Sequence, residues 1–280
     1  MTVLFGRRIE VQVGEPGEEA VSYVSENGRG LRMAFDIQFK RDGKPNTGKV
    51  AIYNAAKDIY ARAQSRTAIV RVFAGYTSEG PSRMIFTGNP APKVGVEYPR
   101  EAGERVLRIN ALDSLVKLSR QIVSVEFAGP TTPRQYLNAV AEQTGLAVAS
   151  APDALDRAEF SSVSFSGLAP KALGEIASYV GCDFHVMDGA IYILEKGNSS
   201  GEETNVFSTK TRNLASLKAN KDGLVEFVGF LDGTVRPGKR VPVEHPDFNG
   251  VVVARDVRFV GDNWGNDFYV QVTGKPERSA

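Results

Sequence analysis

The sequence predicts a mainly β protein with an α+β middle segment, in which two antiparallel β-barrel or sandwich domains flank or enclose a small helix–strand module. Three observations predict this. Most of the first third of the chain alternates apolar and polar residues with period two, the spacing that sends successive side chains to opposite faces of a sheet. Helix caps and helical apolar spacing take over near Asp113, and the period-two pattern returns from Gly223 onward. The expected boundaries are 1–113 for the first β domain, 114–196 for the α+β domain and 205–280 for the second β domain.

The cleanest half-buried strand spans residues 31–39. Leu31, Met33, Phe35, Ile37 and Phe39 share one face, and Arg32, Ala34, Asp36 and Gln38 share the other. Residues 8–13, 49–53, 68–74, 83–87 and 105–111 read as further strands, punctuated by Gly and Pro clusters. Between them the Ala-rich stretch 55–64 lacks Gly and Pro and predicts a short helix. Asp113 can cap a helix that begins at Ser114 and carries Leu115, Leu118 and Ile122 on one face. A second helix has a sharper start, because Thr132, Pro133 and Gln135 form a capping box with proline at the first helical position, and Gly145 supplies a left-handed stop. A third helix is expected over 170–180, ending at Gly181, and leads into a hairpin whose turn is Asp188-Gly189, a pair suited to a two-residue type I′ loop.

An internal echo at a spacing of 36 residues matches Leu137, Val140, Ala141, Gly145 and Val148 with Leu173, Ile176, Ala177, Gly181 and Phe184. Two helix-then-strand units would produce it, and so would two amphipathic helices of independent origin. Residues 197–204 are rich in Gly, Ser and Glu and read as a linker or loop tip. Strands then follow at 225–230, 239–243, 251–260 and 268–273.

Composition limits the function. With 34 basic and 33 acidic side chains in 280 residues the chain has no bulk charge, so wholesale binding to a phosphate backbone is not implied. The longest apolar run, 190–194, is far short of the roughly 18 residues that a membrane span needs. The first fourteen residues break their apolar positions with Arg7, Arg8, Glu10 and Gln12, and so lack the apolar centre of a signal peptide. A single cysteine, Cys182, rules out an internal disulfide and suits a reducing compartment.

Enzyme-like signals are incomplete. Gly43-Lys44-Pro45-Asn46-Thr47-Gly48-Lys49 follows P-loop spacing up to the lysine, but Val50 stands where a Ser or Thr must bind magnesium, and Lys49 opens a strand pattern rather than a helix. A turn between strands is expected there. Cys182 and His185 are spaced like two metal ligands, yet a structural zinc site needs four, and the remaining histidine is His245; a buried thiol is expected. No G-x-S-x-G elbow accompanies the two histidines. No cofactor, metal or catalytic residue is therefore assigned. Arg236, Lys239 and Arg240 around Pro237-Gly238 read as a solvated basic turn. The C-terminal aromatics Phe227, Phe230, Phe248, Phe259, Trp264, Phe268 and Tyr269 read as filling of a β core.

Three segments, taken in order, resemble the baseplate hub proteins of tailed bacteriophages, which join the tail tube to the tip or spike. Residues 31–39, then Pro45-Asn46 and 48–54, with Gly75-Tyr76 and 85–88, are similar to the first β domain of that family. Residues 236–238, 248–250 and 261–269 are similar to its closing β domain. The resemblance implies two tube-type β domains per chain and a structural, non-enzymatic protein of the virion tail baseplate, made in the host cytoplasm. It implies a homotrimer whose six β domains continue the sixfold tail tube. The partners would be a tail tube or distal tail protein on one side and a tail tip or spike protein on the other, with DNA in transient passage through the channel. Near-neutral charge suits such a channel. Arg32, Asp36 and Gln38, on the polar face of the strongest strand, are the candidates for channel lining or subunit contact, with a solvent-exposed outer face as the alternative. A carbohydrate- or peptide-acting enzyme and a ligand-binding β module are the rival readings.

Overall fold

The computed structural model describes residues 4–41, 45–65, 67–92, 95–113, 118, 120–187, 189–195, 199–212, 214–220 and 223–277. The first β region contains β1 (Arg7–Gly14), β2 (Val21–Glu26), β3 (Met33–Lys40), β4 (Thr47–Tyr53), β5 (Ile69–Tyr76), β6 (Arg83–Pro90), β7 (Val96–Glu97), β8 (Arg100–Glu101) and β9 (Glu104–Leu112). The middle module contains β10 (Ile122–Phe127), β11 (Ala147–Ser150), β12 (Val163–Leu168), β13 (Cys182–Met187) and β14 (Ala190–Glu195), with helices Pro133–Thr144 and Ala169–Tyr179. The last region contains β15 (Phe207–Ser208), β16 (Ser216–Ala219), β17 (Val225–Phe230), β18 (Arg240–His245), β19 (Phe248–Asp262) and β20 (Phe268–Pro276).

The two β regions are not separate sheets, as the sequence pattern suggests. They form one sheet in the order β16-β17-β20-β19-β3-β4-β9-β6-β5-β1-β2. The joint is antiparallel, from Asp256↔Lys40 to Asp262↔Ala34. Period two is a local signal and says which face of a strand is apolar, but it does not say which edge meets which. Pairing β3 with β19 satisfies two rows of backbone donors and acceptors that would otherwise remain open. It also aligns the apolar faces, and one hydrophobic core runs through both regions from Ile9 and Phe35 to Phe227 and Phe259. Phe39 lies at the centre of that core, edge-on to Phe86 at 6.4 Å and to Phe259 at 6.1 Å.

The middle module has its own core, built from Val123, Leu137, Val140, Leu173, Ile176, Ile191 and Ile193. Its caps follow the sequence. Thr132 accepts a hydrogen bond from the Gln135 backbone N–H at 3.2 Å, and Gln135 Oε1 accepts from the Thr132 N–H at 2.9 Å. Gly145 and Gly181 take positive φ at the helix ends, +68° and +71°. The internal echo corresponds to two helix-then-strand units: β11 pairs parallel with β14 and β13 pairs antiparallel with it, so both flank the same strand. Gly189 takes φ +80° in the hairpin; Asp188 lies outside the described residues.

Other expectations are corrected. Ile122 does not end a helix. It opens β10 and is 71% exposed, because its partner across the ribbon is Leu168 at the ribbon's end. Ser114 and Leu115 of that expected helix lie outside the described residues, while Leu118 is buried. The segment at 199–204 is docked rather than a free linker. Ser200 N–H donates to Gly238 O at 2.7 Å, Thr204 N–H donates to Arg240 O at 2.9 Å, and Glu203 pairs with Arg240 at 3.1 Å.

Candidate functional site: a polar sheet face and the joint beneath it

The candidate face is the side of the sheet opposite the core. In β3 the burial alternates, with Met33, Phe35, Ile37 and Phe39 buried and Ala34, Asp36 and Gln38 half-buried. The pairing registers extend that polar side across both β regions. Gln38 lies across from Arg258, Arg258 from Gln271, Asp36 from Lys49, Lys49 from Asn110, and Arg108 from Glu97. On the far side Glu226 lies across from Lys218. All three sequence candidates are on or beside this face.

Opposite charges on it neutralise one another. Arg258 grips Asp36 across the joint with two parallel hydrogen bonds, Nε to Oδ1 at 2.9 Å and Nη2 to Oδ2 at 2.8 Å. Those bonds, with a further one from Gln38, hold the Asp36 carboxyl below its ordinary pKa against the opposing effect of burial. Arg32 precedes β3 and makes a second bridge, in which its Nε and Nη2 both donate to one carboxylate oxygen of Asp262. Its Nη2 lies 2.7 Å from Asp262 Oδ2, and its guanidinium lies 4.5 Å from the Tyr53 ring centre. Burial raises the Asp262 pKa, but Arg32 and the N–H groups of Trp264 and Gly265 outweigh it, so the carboxyl titrates below its ordinary value. Arg108 grips Glu101 at 3.0 and 2.6 Å, and Gln271 donates to Glu226 at 2.5 Å. A shallow depression of about 240 Å³ sits over the joint, lined by Gln38, Lys40, Asp256, Arg258, Gln271 and Thr273.

On the core side, two buried arginines tie the two β regions together, and sequence reasoning missed both. Arg236 is buried, contrary to the solvated turn expected around it. Its guanidinium lies 5.1 Å from the Phe39 ring centre and 5.6 Å from that of Phe259, and it donates to the carbonyls of Val235 at 2.8 Å and Met84 at 2.9 Å. Arg212 is also buried. It makes a bidentate pair with Glu79 at 3.0 and 2.6 Å and lies 3.4 Å from Asp232, which also accepts from Asn205 and Thr234. The residues next to Arg236 and Arg212 do not reveal this, since part of what holds them, Phe39 and the Met84 carbonyl for Arg236 and Glu79 for Arg212, comes from the other β region. Lys239 and Arg240 do reach the surface, paired with Glu202 and with Glu203 and Glu277.

The middle module attaches where β3 ends and β4 begins, in the middle of the sheet order. Arg41 is buried and donates to Leu194 O at 3.3 Å and Glu195 O at 3.0 Å; burial lowers its pKa. Asn46 donates to Asp113 and, at 3.3 Å, to Val186 O. The stretch with P-loop spacing therefore ends in a strand, with Lys49 in β4; Gly43 and Lys44 lie outside the described residues. Cys182 and His185 do not converge. Cys182 is buried in the module's core, whereas His185 is three residues along the strand, points the other way and stacks on Tyr192 at 4.9 Å. His185 is 3% exposed, neither ring nitrogen has a hydrogen-bond partner, and burial lowers its pKa to about 3. Among the described residues no group of three or more His, Cys, Asp or Glu side chains could hold a metal ion. No helix among them is long and apolar enough to cross a membrane.

Most C-terminal aromatics fill the core as expected, Phe227, Phe259 and Phe268 among them, but Trp264 is 62% exposed in the turn between β19 and β20. No family model matches the chain, and no curated protein matches its sequence. Solved structures do match along nearly its whole length. A tail protein from Neisseria meningitidis MC58 aligns with a TM-score of 0.65 at 12% identity, over 98% of this chain and 97% of that one. The 43 kDa tail protein of prophage MuSo2 from Shewanella oneidensis aligns with a TM-score of 0.63 at 9% identity, over 95% and 96%. An E. coli type VI secretion component described as similar to T4 phage tail proteins aligns with a TM-score of 0.60 at 10% identity, over 89% and 74%. Likeness at such identities is likeness of fold, and the chain has the fold of bacteriophage tail proteins.

Proposed function

We propose that the chain is a structural protein of a phage or phage-derived tail, a hub that joins a sixfold tube to a threefold tip with its polar sheet face toward a central channel. One observation carries this reading: the polar face is continuous through the β19–β3 joint, and opposite charges on it are paired in place, as in the Asp36–Arg258 bridge. A channel for DNA benefits from such a surface, because unpaired cations would bind phosphate and unpaired anions would repel it. Supporting it, the joint sets two β units side by side in one sheet, so three chains would present six. The fold shared with tail proteins over nearly the full chain points the same way. Asp36, Gln38 and Arg258 are then channel-lining residues, and Arg32 fixes the turn at the rim. The test is electron microscopy of intact tail particles. Three copies around the tail axis, with Asp36 toward the lumen, are expected; any other copy number or position rejects the hub.

A further inference from the structure

One end of the β body is built from turns of both β regions, and it holds the one tryptophan of the chain in the open. Trp264 sits in the turn between β19 and β20, and the backbone around it is pinned. Asp262 Oδ1 accepts from the N–H groups of Trp264 at 2.9 Å and Gly265 at 3.0 Å, while Asp262 Oδ2 is held by Arg32. Asn263 accepts from the Met33 N–H at 2.7 Å and donates to Leu31 O at 2.8 Å and to Ser25 Oγ. Arg7 reaches over from β1 and donates to the carbonyls of Asp262 at 3.2 Å, Gly265 at 2.6 Å and Asn266 at 3.2 Å. The indole is left exposed on a turn that three other segments hold in place.

A second exposed aromatic lies at the same end. Phe5 and Trp264 are the two most exposed large aromatic side chains among the described residues. Phe5 is fixed as well: its N–H donates to Ser78 Oγ at 3.2 Å, and the next residue, Gly6, accepts from the Thr77 N–H at 2.7 Å. Beside the two runs a groove of about 320 Å³ whose lining includes Leu4, Phe5, Phe230, Asn266 and Phe268. Two charges of opposite sign border this patch, Asp267 in the Trp264 turn and Arg29 in the turn after β2, where the Ser25 hydroxyl links Asn263 to Arg29 O. Both are exposed, and neither is in an ion pair among the described residues. An apolar side chain already held in one place loses little freedom when a partner covers it, which is why rigid aromatics anchor protein interfaces.

We propose that this end is a docking surface for a different protein, with Trp264 as the anchor that enters an apolar pocket of the partner, and with Phe5 and the groove beside it receiving an apolar side chain in return. The partner carries a basic residue against Asp267 and an acidic one against Arg29. The mixed charge selects a polypeptide, because DNA and anionic lipid surfaces present negative charge alone and Asp267 opposes them. A sugar stacked on the indole would need hydroxyl partners beside it, and Asp262 and Asn263 are already used within the turn. The choice of a different protein over a second copy rests on the hub reading, since copies arranged around one axis all present this end in the same direction.

The experiment places the photo-cross-linker p-benzoylphenylalanine at position 264, and in a second variant at position 5, of the full chain in the bacterium that produces it, and maps the products by mass spectrometry. Both variants should cross-link the same protein, different from this chain, within one stretch that contains apolar residues and a Lys or Arg. The same label at Lys275, exposed near the other end of β20, should not give that product. Trp264→Ala should lower the cross-link from position 5 by on the order of tenfold or more with an unchanged melting temperature. Asp267→Lys should lower it several-fold, and changing the mapped basic residue of the partner to Glu should restore it. As the one tryptophan, Trp264 should emit in the purified chain as a solvent-exposed indole that acrylamide quenches; the emission of a buried indole would overturn the proposal. So would no product from either position, a product with a second copy or with glycan, equal product from position 275, or an undiminished cross-link in Trp264→Ala. Three copies on the tail axis without the cross-link would leave the hub standing and reject this surface. The cross-link with another copy number would do the reverse.

Discussion

The β body and the middle module solve the same stability problem in different ways. The body spreads one core across segments more than two hundred residues apart, closing it with β3–β19 pairing and with Arg236 and Arg212 reaching between regions. The module builds its core from neighbouring segments of one stretch, with helix caps and glycine stops written locally. The two meet through a few polar contacts of Arg41 and Asn46 and through Met187 and Tyr192 of the module, which pack into the body's core. The body should therefore unfold as one unit, and the module should be able to open by itself.

The largest effect that probes this difference is expected for Phe39→Ala, which removes a ring contacting both β regions and should cost about 4 kcal/mol. Hydrogen exchange should then rise together in β1, β9, β17 and β20, and faster exchange in only one region would show that the two β regions are independent. Arg212→Ala should follow at about 3 kcal/mol, since it leaves Asp232, almost fully buried, without its cation; an unchanged denaturant midpoint would reject the lock.

His185 sharpens the boundary by pH. Its folded pKa, about 3, lies below the ordinary histidine value of 6.5, so the unfolded chain takes up the proton first. The contribution is complete above pH 6.5 and is lost as pH falls from there toward 3. Module stability followed by exchange in β13 and β14 should decline over that window, and His185→Phe should flatten the decline. A slope that is the same in both proteins would contradict the burial of the neutral ring. The smallest effect is Gly189→Val, which forces a β-branched residue into positive φ and should cost about 1 kcal/mol or slightly more, confined to the module. A loss of protection in the β body of this variant would break the comparison from the other side.

Legibility follows the same division. The capping box at Thr132, the stops at Gly145 and Gly181 and the alternation of β3 depend on residues a few positions apart, so they can be read directly from the sequence. The polar face through Asp36 and Gln38 was visible as a face, but its partner Arg258 was not, because strand alternation carries no register between strands 222 residues apart. Arg236 was misread because proline and glycine beside it favour a turn, and a turn is normally wet; here the turn is covered by Phe39, Phe259 and the Met84 carbonyl.

The sequence by itself determined the β–α/β–β order, the faces of the strands, the helix ends and a charge balance compatible with a neutral channel. Only the tertiary structure decided that the two β regions are one sheet and that Arg212 and Arg236 are interior locks between them. The first set depends on backbone preferences and periodicity, which act over a few residues. The second depends on which edges meet in space, and that is fixed by burying apolar surface and satisfying backbone hydrogen bonds across the whole chain.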